Sequence, residues 1–125
     1  MERFEEVIAW QKARTLNKAV YEVTRRQPFA KDLGLASQIQ RAAVSVMANI
    51  AEGFDRYGDG EFEHFLTIAK GSASEVRSHL YAALDAGYLE QHQFQQLKMH
   101  AEDVSRLIAA LRHSVSLRRR GHGSR

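Results

Sequence analysis

From residue 5 to about residue 26, apolar side chains recur at Ala9, Ala13, Leu16, Val20 and Val23, in alternating steps of four and three. That spacing places them on one stripe of an α-helix. Pro28 ends this first helix, because a proline pushes the preceding residue out of the helical region and cannot donate a backbone hydrogen bond. Asp32 then has the chemistry of an N-terminal cap for a second helix reaching to about residue 55, with apolar positions at Leu35, Ile39, Ala42, Ala43, Val46, Met47, Ile50 and Phe54. The segment Arg56-Tyr57-Gly58-Asp59-Gly60 reads as a short turn, and Glu61 and Glu63 put negative charge on the first turn of a third helix.

The buried set of helix three is expected to be Phe62, Phe65, Leu66, Ala69, Val76, Leu80, Ala83 and Leu84, with Gly87 as a left-handed C-terminal cap. Helix four starts near Gln91 and has the cleanest pattern. Phe94, Leu97, Ala101, Val104, Ile108, Leu111 and Val115 keep three-four spacing, the seam of a left-handed bundle. Four amphipathic helices joined by short connections predict an all-α, antiparallel up-down four-helix bundle.

One feature of helix two does not belong to an apolar face. Gln38, Arg41, Ser45, Asn49 and Glu52 form a polar line beside it. If helices two and three form a hairpin about Gly58, positions summing to about 117 lie opposite one another. Gln38 then faces His79, Ser45 faces Ser72, and Arg41 faces Val76 with Glu75 adjacent. A partly buried Arg41 needs an acceptor, so an Arg41–Glu75 contact is expected, with Ser45, Gly71 and Ser72 permitting close helix approach. Such a network fixes the register of the two helices; the alternative reading is a ligand or partner site.

Composition sets the bounds. The 125 residues suit one domain, and the absence of cysteine excludes disulfides, thiolate metal sites and cysteine nucleophiles. Residues 1–10 carry Glu2, Glu5 and Glu6 and lack the basic start and apolar run of a signal peptide, which reads as a cytoplasmic protein without a membrane partner. Of eighteen Lys and Arg, four stand in residues 118–125, leaving fourteen against fifteen acids in residues 1–117. The division drawn from this is a bundle over 1–117 and a basic, disordered tail over 118–125. Arg118, Arg119, Arg120 and Arg125, with Arg112 before them, are the candidate phosphate contacts and make RNA or DNA the leading candidate ligand.

The segments Gln38…Arg41-Ala42-Ala43-Val44-Ser45-Val46…Asn49-Ile50-Ala51-Glu52-Gly53, Glu61-Phe62…Phe65-Leu66…Ala69-Lys70-Gly71-Ser72…Glu75 and Gly87-Tyr88 also carry a resemblance. The chain resembles, over nearly its whole length, the bacterial four-helix bundle family named after proteins encoded in intervening sequences of large-subunit ribosomal RNA genes. Val46 stands where isoleucine is common in the family, and the arginine tail is not a family feature. The resemblance implies a bundle assembled as a ring, typically a homopentamer, without established catalytic activity or cofactor. It marks Gln38, Arg41, Ser45, Asn49, Glu52, Gly53, Gly71, Ser72 and Glu75 as motif residues. A more distant similarity, to the accessory protein of diversity-generating retroelements, points by analogy to a reverse transcriptase as the kind of protein partner. In a five-fold ring the arginine tails of five copies would gather into one cationic surface.

Enzyme readings fare poorly. Glu61-Phe62-Glu63-His64 has the Glu-x-x-His spacing of di-iron bundles, but no second copy stands on another helix, and no metal site is expected. His79, His92, His100, His113 and His122 show no ligand spacing, and Gly58 and Gly60 lack the residues of a phosphate loop. Self-association has a separate argument, since Trp10, Tyr21, Phe54, Tyr57, Phe65, Tyr81 and Tyr88 exceed what one thin core needs. The first functional hypothesis is therefore a non-enzymatic oligomeric scaffold or accessory protein that binds nucleic acid or a nucleic-acid enzyme. The alternative is a small-molecule or metal-binding bundle.

Overall fold

The computed structural model describes residues 2–56 and 58–123, with the side chains of 122 and 123 left aside. Tyr57 and Arg125 lie outside the described residues. Four helices follow in order: α1 (Ile8–Thr24), α2 (Leu33–Asp55), α3 (Asp59–Asp85) and α4 (Gln91–Gly123). No strand occurs among the described residues. α1 and α3 each pack against both α2 and α4, which closes a four-sided bundle.

The pairs that cross the bundle give its direction. Across α2–α3, Ser45 meets Ser72 and Gly53 lies against Phe65, and across α3–α4, Thr67 meets Arg112 and Asp59 meets Arg118, so position numbers rise on one helix as they fall on the next. The neighbours are antiparallel. The α2–α3 register is the one expected from the hairpin about Gly58, whose φ of +96° takes the chain into α3.

Each helix end has an identifiable cause. α1 begins at Ile8 rather than at residue 5, because Phe4–Glu6 form a 3-10 turn and the extended Val7 drops its side chain into the core. It stops at Thr24, before Pro28, where the buried Thr24 hydroxyl donates to Val20 O and accepts from Gln40 Nε2. Asp32 Oδ1 accepts from Leu35 N at 3.0 Å and caps α2 as expected. At the end of α3, Gly87 N–H donates to Leu84 O and Tyr88 N–H to Ala83 O, with Gly87 at φ +81°. That is the paired C-terminal cap which a left-handed glycine permits.

The core follows the predicted stripes with few exceptions. Phe94, Leu97, Ala101, Val104, Ile108 and Val115 are buried on α4, while Leu111 is half-buried. On α3, Phe65 and Leu84 are half-buried rather than buried, and Ser72 and Ala73 join the core instead. Val7, Phe29 and Leu89 lie outside the α-helices and close the ends of the bundle. The boundary drawn at residue 117 from charge is not where the helix stops, since α4 continues to Gly123. Among the described residues, no helix is long and apolar enough to cross a membrane.

Candidate interaction face on α2 and α3

Small residues of α2 and α3 meet at the seam between the two helices. The Ser45 and Ser72 hydroxyls are 2.8 Å apart, and Asn49 Nδ2 donates to both Ser45 O (2.8 Å) and Ser45 Oγ (3.0 Å). Ser72 is buried, and Ser45 and Asn49 are half-buried. One turn on, a Cβ added to Gly53 would lie 2.7 Å from Phe65 Cβ, closer than carbon atoms pack, so this position admits only glycine without displacement. Gly71 does not share that role, because a Cβ there would meet nothing within 4 Å.

Outside this seam lies a groove of about 340 Å³ lined by Gln38, Arg41, Ala42, Ser45, Ser72, Glu75 and His79. Gln38 and His79 share it, as the register requires. The buried Arg41–Glu75 pair does not form. Both side chains are exposed, and no ion pair or hydrogen bond joins them. The polar line thus runs along the rim of the interface rather than inside the bundle. The physical reason is that small residues on the seam leave the groove open, so a long guanidinium keeps its hydration instead of accepting a desolvation cost. Glu52, also exposed, pairs with Arg56 at 2.7 Å, and that hydrogen bond raises the Arg56 pKa while its guanidinium lies over the Phe65 ring at 5.3 Å.

Ser72 is engaged with Ser45, and no hydrogen bond connects His79 to Ser72 or to Glu75, so no nucleophile is set beside a base. His64 is exposed and edge-on to Phe65, and among the described residues no three His, Asp or Glu side chains converge as a metal site would require.

At the far end of α4 the arginines have partners. Arg118 binds both carboxylate oxygens of Asp59 (2.9 and 3.1 Å), Arg119 Nε lies 2.6 Å from Glu63, and Arg112 reaches Thr67 at 3.4 Å. The hydrogen bond from Arg119 holds the Glu63 carboxyl below its ordinary pKa. Arg120 is exposed. Local reading missed these pairs, and it also missed the Tyr88 hydroxyl, which donates to Asp32 Oδ2 at 2.9 Å. The signal for the latter was present in Gly87, whose left-handed turn sends Tyr88 back toward the start of α2.

Residues 5–110 match the model of the 23S rRNA-intervening sequence protein family. The chain belongs to that family. Among solved structures it is similar to a protein of unknown function from the S23 ribosomal protein family of Bacteroides thetaiotaomicron, with a TM-score of 0.77 and 20% identity, covering 83% of this chain and 97% of that one. At that identity the likeness speaks for the fold. No curated protein matches the chain. The residues that the sequence resemblance marked divide into two sets in the structure. Ser45, Asn49, Gly53 and Ser72 hold α2 against α3, whereas Gln38, Arg41, Glu52 and Glu75 face outward and Gly71 is open.

Proposed function

We propose that this chain is a non-catalytic scaffold which assembles with copies of itself through the α2–α3 face and carries nucleic acid on unpaired surface cations. The observation that supports the reading is the outward set of motif residues. Arg41 and Glu75 are opposite charges on one groove, exposed and without an ion pair among the described residues. Val44 on α2 (41% exposed) and Ile68 on α3 (40%) add apolar surface, and Gly71 leaves room for close approach. A face that carries both signs can receive a second copy, Arg41 of one against Glu75 of the next, and repetition of that contact closes a ring. A ring of five is the assembly the family resemblance implies.

Charge reversal tests the contact. Arg41→Glu is expected to weaken association by about tenfold or more in sedimentation velocity, and adding Glu75→Arg to restore it. An Arg41→Glu chain that sediments like the parent would remove this face from the account.

A further inference from the structure

The outer surface of α1 carries a second pattern, in which Trp10 and Tyr21 are half-buried, Trp10 against the core and edge-on to Phe4, while the cations beside them are exposed. Trp10, Arg14, Lys18, Tyr21 and Arg25 follow one another in steps of four, four, three and four, so rings and cations alternate along one helical stripe. They line a groove between α1 and α2 of about 720 Å³, with Met47 of α2 on its other side. The three cations are exposed, and none has an ion pair among the described residues. No carboxylate lines the groove. Arg14 lies over the Trp10 ring at 5.9 Å, which keeps ring and cation together. The wall also holds Asn17, whose Oδ1 is buried without any hydrogen-bond partner. An unmet buried acceptor is costly to the fold.

We infer that the α1–α2 groove is a seat for single-stranded nucleic acid, its phosphates on Arg14, Lys18 and Arg25 and its bases against Trp10 and Tyr21. The inference rests on the nucleic-acid part of the proposed function and gives it a location that the sequence did not indicate. It moves the binding charge away from Arg118 and Arg119, which are engaged with Asp59 and Glu63. Arg14 and Arg25 stand eleven residues apart, or about 16 Å along the helix, which spans about five nucleotides of a stacked strand at ~3.4 Å each. A single strand fits better than a duplex because only unpaired bases expose their faces to the rings.

The test uses the full-length chain and a fluorescent oligouridine of about 20 nucleotides, followed by anisotropy between about 50 and 200 mM NaCl. Trp10 is the one tryptophan, so its emission reports on the groove directly. Binding is expected to quench that emission. The triple variant Arg14→Gln, Lys18→Gln, Arg25→Gln is expected to bind at least about tenfold more weakly, with the log–log salt slope reduced by about 2 for three lost phosphate contacts. Circular dichroism verifies that the variant is folded, and the variant Arg118→Gln, Arg119→Gln, Arg120→Gln is expected to stay within about threefold of the parent. If only this second variant loses binding, the groove assignment is overturned while nucleic-acid binding stands. If the parent does not bind at all, both fall, and the self-association reading is untouched because its readout is mass. Equal displacement of the strand by polyglutamate of the same length would overturn the base contacts, as would a triple variant whose only change is its assembly mass.

Discussion

Gly53 and Gly71, both expected from the sequence to be motif residues, meet opposite surroundings. A Cβ on Gly53 runs into Phe65 and Phe62 at 2.7 and 3.0 Å, whereas Gly71 faces open space in the middle of a helix. Gly53→Ala should destabilise the fold by about 1–2 kcal/mol, the overpacking cost less the gain in helix propensity. Gly71→Ala should stabilise the isolated chain by about 0.5–1 kcal/mol. Urea denaturation of the two variants gives the comparison, and equal signs would contradict the packing described for the seam. Asp32 and Tyr88 supply a pH dependence. The Leu35 N–H and then the Tyr88 hydroxyl hold the Asp32 carboxyl below its ordinary pKa, and the same bond raises that of Tyr88. Asp32 therefore contributes stability that is present above the unfolded carboxyl pKa of about 3.9 and is lost as pH falls through the lower folded value. Tyr88 contributes stability that is lost as pH rises through a folded value above about 10. Thermal melts of Tyr88→Phe should show a shallower decline than the parent at both extremes; identical profiles would show that the bond does not form.

Helix ends were legible wherever the cause was local. Asp32 and Gly87 act within a few residues of themselves, so a linear reading found them. The end of α4 was not legible, because the partners of Arg118 and Arg119 are Asp59 and Glu63, on the antiparallel neighbour and more than fifty positions earlier. A run of arginines with no acid nearby looks like a solvated tail until the register brings α3 beside it. Cations in the last turns also suit the negative end of the α4 dipole. Deleting residues 118–125 should lower helical ellipticity by more than fraying alone and lower the melting temperature slightly. That second effect should shrink in about 1 M salt, where exposed pairs are screened. A melting difference that persists in salt would mean the end of α4 packs by apolar contact instead.

At the scale of the molecule, the bundle and its register were readable because a three-four apolar period and a short turn leave little freedom. Ser45 and Ser72 meet where the numbering placed them. The environment of Arg41 was not readable, since a rotation of a few tens of degrees about the α2 axis separates a buried arginine from an exposed one, and the apolar stripe does not fix that angle. The surplus aromatics find neighbours within the chain only in part. Phe54 packs on Phe62, Tyr88 on Phe29 and Tyr81 on Phe94 within the chain; Tyr81 is still exposed, and Trp10 and Tyr21 are half-buried. The surface left for a partner is mostly aliphatic: Ile8, Leu33, Val44, Ile68, Met99 and Leu117. The scaffold reading stands or falls on whether copies of the chain cover such surface. Light scattering coupled to size-exclusion chromatography at micromolar concentration measures this directly. The account predicts a species several times the 14.2 kDa chain, roughly 70 kDa for a ring of five, and a single peak at 14.2 kDa would contradict it.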